Sequence, residues 1–137
     1  MINEEQIMAM LAKAKSAQAN AYAPYSKFKV GVCIRTANEQ LFIGCNNENA
    51  AYPLCQCAES AAIGNMVALG GAQPITDVVI IGSSEKPCTP CGGCRQRIRE
   101  FANAQTRIHS FNQDGKKKLT MTMSELLPES FGPEFLI

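Results

Sequence analysis

Ile7, Met10, Leu11, Ala14 and Ala17 recur at helical spacing, with mostly polar residues between them. Asn3 and Gln6 have the form of a capping box, and Glu4 and Glu5 fall where a first helical turn favours acids. Together they predict a helix over residues 4–19. "AYAPYSKF" interrupts it at Pro24. Phe28, Val30, Val32 and Ile34 then alternate with Lys29, Gly31, Cys33 and Arg35, which is strand periodicity. "TANEQ" is a turn, and Leu41 to Cys45 is the returning strand of a hairpin. Pro53 precedes an alanine-rich helix, Cys57 to Leu69, that stops at Gly70-Gly71.

"DVVIIG" (Asp77–Gly82) is a continuous apolar run, the mark of a strand buried on both faces. After the loop "SSEKPCTP" a helix is predicted from about Gly92 to Phe101. "TRIHSF" and "KLTMTM" are strands flanking the turn "NQDG", Ser124 is placed to cap a last short helix before Pro128, and "ESFGPEFLI" reads as an irregular tail. The order αββαβαββα predicts an α/β fold: a three-layer α/β/α sandwich with a mixed five-stranded sheet, one domain over residues 1–137. Ligands of such sheets collect where helix N-termini meet the carboxyl ends of strands. Both cysteine clusters fall at helix starts.

Composition narrows the function classes. A formal net charge of +1, with 18% charged residues, gives no field suited to nucleic acid or an anionic membrane. Lys116-Lys117-Lys118, after Asp114-Gly115, reads as a solvated turn. The opening "MINEEQIMAMLAKAK" lacks the features of a secretory leader, and no apolar run has membrane-spanning length. A reducing, cytoplasmic setting is the expectation. Seven cysteines there point to metal binding or reactivity sooner than to a disulfide framework.

Cys91 and Cys94 form a C-x-x-C pair behind Pro90, with Gly92-Gly93 allowing a tight turn. A helix start at this place directs N–H groups and positive dipole at the thiolates. Cys57, at the start of the other helix, supplies a third sulfur, and three thiolates leave one position of a tetrahedral zinc site open. Glu59, two residues after Cys57, can reach that position without being a ligand, as a proton carrier should. A ligand-x-Glu segment with a later Pro-Cys-x-x-Cys is the zinc deaminase signature. The competing reading is a closed structural site with Cys88 or Cys55 as fourth ligand. Cys33 and Cys45 are expected as small strand residues, and His109, the one histidine, as structural.

Over nearly its full length the chain resembles the small, homotetrameric, zinc-dependent cytidine deaminases of pyrimidine salvage. The likeness is carried by "AYAPYSKFKVG" (Ala21–Gly31), "GCNNENAAYPLCQCAE" (Gly44–Glu59), "PCGGCRQ" (Pro90–Gln96) and "ELLPESFGP" (Glu125–Pro133). It implies one Zn²⁺ per subunit on Cys57, Cys91 and Cys94, with Glu59 as proton shuttle. Asn46 and Glu48 match the pair that holds the ribose hydroxyls, Phe28 the aromatic that stacks on the pyrimidine, and Ala58 the residue whose backbone bonds the base. Ala50, Tyr52 and Phe131 match positions that reach neighbouring subunits' sites.

The implied activity is hydrolytic deamination of cytidine and 2′-deoxycytidine to uridine and 2′-deoxyuridine, with a small nucleoside and not a polynucleotide as substrate. A deaminase of another aminated heterocycle, or a structural zinc module closed by four cysteines, are the alternatives. One position departs from the resemblance. Most relatives carry arginine immediately after Cys-Ala-Glu, where it bonds the zinc thiolates and offsets their charge; here that residue is Ser60. Helix dipoles, Arg95 or a rearranged neighbour would have to compensate, or the pH optimum would move up.

Overall fold

The computed structural model describes all of residues 1–137. Helix α1 (Glu4–Ala19) is followed by β1 (Gly31–Thr36), β2 (Leu41–Cys45), α2 (Ala58–Gly70), β3 (Ile75–Ile81), α3 (Gly92–Arg99), β4 (Arg107–Phe111), β5 (Lys118–Thr122) and α4 (Met123–Leu126). The five strands form one sheet in the order β2-β1-β3-β4-β5, with β3 and β4 parallel and every other pair antiparallel. This is the expected mixed sheet.

Alternation sorts the strand residues into two cores. Val32, Ile34, Val78, Ile80 and Ile108 face Ala58, Ala62 and Met66 of α2 and Ile98 of α3. Cys33, Val79, Ile81 and Phe111 face Ile7, Met10, Leu11 and Ala14 of α1. The central strand β3 is therefore apolar on both faces, as "DVVII" predicts. Helix α1 starts on the capping box: Asn3 Oδ1 accepts from Gln6 N at 2.9 Å and Gln6 Oε1 accepts from Asn3 N at 2.9 Å.

The contact between α2 and the sheet is backbone on backbone. At Gly44 of β2, an added Cβ would lie 2.4 Å from the amide nitrogen of Ala62 and 2.7 Å from the carbonyl oxygen of Ala58. Only glycine admits that approach, and it sets the depth at which the first turn of α2, carrying Glu59, rests on the sheet.

Four local expectations are corrected. Strand β1 begins at Gly31 and not at Phe28, because the Asn46 side chain takes the neighbouring backbone: Oδ1 accepts from Val30 N and Nδ2 donates to Phe28 O, both at 2.8 Å. Helix α3 ends at Arg99, short of Phe101, whose carbonyl accepts from Ile75 N at 2.8 Å. The cap of α4 is Thr122 and not Ser124: Thr122 ends β5 extended, its hydroxyl accepts from Glu125 N, and Glu125 reaches back to Thr122 N at 2.9 Å. The tail is not irregular throughout. It holds a 3-10 turn at Pro133–Phe135 and is tied to α3, Gln96 Nε2 donating to Phe131 O at 2.9 Å and Arg99 Nε to Ser130 Oγ at 2.7 Å.

His109 is fully buried in the sheet. Its Nε2 lies 3.0 Å from Asp77 Oδ1 and its Nδ1 3.0 Å from Thr120 Oγ1, and Arg107 Nε is 3.4 Å from the same Asp77 oxygen. Both ring nitrogens are thus engaged in joining β3, β4 and β5, the structural role expected of it.

Candidate active site

Cys57 is the N-cap of α2 and Cys91 the N-cap of α3, both in extended conformation. Cys94 lies in the first turn of α3 and is buried. Two helix starts converge, and the sulfurs of Cys57, Cys91 and Cys94 all lie within 4.8 Å of one another. Thiolates about 2.3 Å from one zinc at tetrahedral angles stand about 3.8 Å apart, so the spacing suits a single ion. All seven cysteines are free, and neither Cys55 nor Cys88 joins the cluster. Cys55 instead accepts from Asn49 N at 3.2 Å. The donor set is three soft sulfurs with no fourth protein ligand, which fits one Zn²⁺ with a side left for chemistry.

The electrostatics follow from burial and helix ends. The Cys94 and Gly93 backbone N–H groups hold the Cys91 thiol below its usual range. Burial, then the charges of Glu59 and Cys57, push Cys94 up. Burial also raises Cys57 and Glu59, and in both cases the Arg97 guanidinium pulls the other way.

The cysteines open into a cavity of about 260 Å³. Glu59, only 6% exposed, lines it beside Asn46, Glu48 and Ala58. Ala58 is the first residue of α2, so its N–H has no partner within the helix. Glu48 Oε1 accepts from Tyr25 N at 2.9 Å and Ser26 N at 3.1 Å, while Oε2 accepts from the Ser26 hydroxyl. These bonds, the Ser26 hydroxyl first among them, hold the carboxyl below its usual range although it faces solvent.

Phe28 does not line the cavity. Its ring lies against Gly82, where an added Cβ would meet Phe28 Cζ at 3.2 Å and the Cys88 side chain at 2.7 Å; Cys88, its thiol pushed up to about 11 by burial, lines the cavity. Ala50, Tyr52 and Phe131 also stand outside the cavity and are exposed. Tyr52 meets Tyr25 edge-on at 6.2 Å, and Phe131 stacks on Phe135 at 5.2 Å.

Two features escape sequence reasoning. Ser26 anchors Glu48, for which the sequence carries no signal. Arg97 brings Nη1 within 3.9 Å of Cys94 Sγ, and the i,i+3 spacing inside the predicted helix could have revealed it. Arg95, one of the alternatives expected to compensate for Ser60, is occupied elsewhere: Nε donates to Pro90 O at 2.8 Å and Nη1 to Leu126 O at 2.9 Å.

Comparison with known proteins agrees with this site. Residues 4–110 match the family described as the cytidine and deoxycytidylate deaminase zinc-binding region. A cytidine deaminase of Sporosarcina psychrophila is 37% identical over 127 residues, 93% of this chain and 92% of that one. A cytidine deaminase of Mycoplasma pneumoniae is 43% identical over 113 residues, 82% and 84% of the two chains. The crystal structure of a cytidine deaminase from Burkholderia pseudomallei superposes with a TM-score of 0.85 at 36% identity, covering 95% of this chain and all of the other. Fold, sulfur cluster and sequence agree: the chain belongs to the cytidine and deoxycytidylate deaminase family of zinc enzymes.

Proposed function

We propose that the protein is a cytidine deaminase, hydrolysing cytidine and 2′-deoxycytidine to uridine and 2′-deoxyuridine with release of ammonia. The observation that carries this reading is a buried carboxylate, Glu59, sharing one small cavity with a three-sulfur cluster and with Asn46 and Glu48. Zinc, when bound, lowers the pKa of a water from 15.7 to about 7 and so supplies hydroxide at neutral pH.

The chain's own residues do the rest. Glu59 takes the proton that the water gives up and places it on N3 of the pyrimidine, so that C4 can accept oxygen. It then moves the hydroxyl proton to the amino group as the C4–N bond breaks and ammonia leaves. The Ala58 N–H fixes the base edge, and Asn46 and Glu48 take the sugar hydroxyls, an amide and a carboxylate offering donors and acceptors to a diol. Phe28 covers the pyrimidine from the cavity margin. A cavity below the usual range for drug-sized ligands suits a nucleoside whose enclosure neighbouring subunits complete. Ala50, Tyr52 and Phe131 are exposed on one chain and available for that task in a homotetramer. The reading includes a cytoplasmic role in pyrimidine salvage. No helix is long and apolar enough to cross a membrane.

The test is the fall in cytidine absorbance with zinc-loaded wild type beside zinc-loaded Glu59→Ala. Turnover by the wild type, with an activity at least roughly 100-fold lower in the variant at equal zinc content, is the expected result. Equal rates in both would refute Glu59 as proton carrier. An inactive wild type that holds its zinc would return the structural-zinc reading.

A further inference from the structure

We infer that Arg97 is the cation that balances the three-sulfur site, standing in from α3 for the arginine that the family resemblance implies at the position of Ser60. This rests on Cys57, Cys91 and Cys94 holding the zinc as thiolates. A dication among three thiolates leaves one negative charge over, in a site whose third sulfur is buried, and an unbalanced charge there is costly. Ser60 does nothing for it: the hydroxyl's one partner is Gln56 Nε2, at 3.5 Å.

Helix α3 offers three arginines. Arg95 is spent on the carbonyls of Pro90 and Leu126, and Arg99 on Ser130 and Glu134 of the tail. Arg97 alone faces the sulfurs. It leaves the helix one turn after Cys94 and folds back over Gly93, where an added Cβ would lie 3.2 Å from Nη1, to reach within 3.9 Å of Cys94 Sγ. No carboxylate holds it; it takes part in none of the chain's ion pairs. At that separation the contact is first an electrostatic one, a guanidinium beside a thiolate, and only second a hydrogen bond.

The relocation has chemical content. An arginine at position 60 would sit on α2, the helix that carries Glu59. Arg97 acts from the other helix and favours Cys94, the most buried sulfur, so it is a positioning residue that works through the ligand and does not touch substrate. Removing its charge leaves the thiolates richer in negative charge and the metal a weaker acid, so activity rises at higher pH.

The experiment compares wild type, Arg97→Gln, Arg97→Lys and the double variant Ser60→Arg/Arg97→Gln. Zinc affinity is measured by competition with a chromogenic chelator, and the thiolate-to-metal charge-transfer band is recorded on the cobalt(II)-substituted proteins. Partners of metal ligands typically change affinity about 10–100-fold. R97Q is expected to lose zinc affinity in that range, to shift the charge-transfer band, and to move the acid limb of the pH–rate profile upward. R97K should fall between, and adding S60R should restore band, affinity and profile together. An R97Q protein with wild-type affinity and an unshifted band overturns the inference. So does an affinity loss that S60R fails to restore, which would make Arg97 a packing residue. A wild type that takes up neither metal overturns this and the three-thiolate reading together, whereas a normal wild type with an indifferent R97Q overturns Arg97 alone.

Discussion

Gly44→Ala is the substitution through which packing and chemistry can be read together. The new Cβ would stand 2.4 Å from Ala62 N, 2.7 Å from Ala58 O and 2.9 Å from the Ala61 carbonyl carbon. All three are backbone atoms of α2, so no rotamer change relieves the clash; the helix must lift by about 1 Å to reach ordinary contact near 3.4 Å. Overpacking of this kind costs about 1–3 kcal/mol. For 137 residues, unfolding entropy of about 2.1 cal/mol/K per residue converts that to a drop in Tm of roughly 3–10 °C. The lifted turn carries Ala58 and Glu59, and a 1 Å displacement at a reacting group costs on the order of 100-fold in rate.

The assay is a thermal melt by circular dichroism on zinc-loaded protein, paired with steady-state cytidine turnover. Gly64→Ala serves as the counterpart. It lies in the same helix, exposed, with nothing within 4 Å of its Cβ, and should gain about 0.5–1 kcal/mol from helix propensity alone. A Gly44→Ala protein that melts and turns over like the wild type would refute the claim that Gly44 sets the depth of α2.

Burial pushes the Asp77 carboxyl up, but His109, the Thr76 hydroxyl and Arg107 together more than offset it, so the group ends below its usual range. Its contribution is complete above the unfolded pKa near 3.9 and is lost as pH falls through the lower folded value. Urea unfolding should therefore show Asp77→Asn less stable at pH 7 and the gap closing below about pH 4; a constant gap down to pH 3 would refute the linkage. Glu48→Gln should raise KM for cytidine roughly 10–100-fold, the equivalent of about 1.5–3 kcal/mol for a charged hydrogen bond, with kcat less affected. An unchanged KM would remove Glu48 from the sugar site.

Much of the molecule is legible in the sequence, for identifiable reasons. Helix α1 combines an apolar stripe with a capping box, and the two signals agree on its start. Strand β3 is apolar from Val78 to Ile81 because helices cover both faces. The misread boundaries come from tertiary competition for backbone groups. Alternation extends to Phe28, yet Asn46, distant in sequence, takes Val30 N and Phe28 O before a ladder can form. Thr122 and Ser124 are both plausible caps, and the end of β5 decides between them.

In the site, cysteine spacing and the Cys-x-Glu segment announce the chemistry, because both clusters are local. The i,i+3 spacing of Cys94 and Arg97 is a local cue, whereas the engagement of Arg95 and Arg99 by Pro90, Leu126 and the tail is not. The roles given to Ala50, Tyr52 and Phe131 rest on resemblance alone, since on one chain they are exposed surface.

The division of the sulfurs between two helix starts reaches beyond catalysis. An ion held there fastens α2 to α3, and anything that binds only the folded chain adds RT ln(1 + [L]/Kd) to its stability, about 4.1 kcal/mol at a thousandfold excess over Kd. The folded fraction of the chain should thus rise with free zinc. An unloaded chain presents two exposed thiols, Cys57 and Cys91, a few ångströms apart, the arrangement that peroxide converts to a disulfide. Loss of the metal and oxidation would therefore act on the same sulfur atoms.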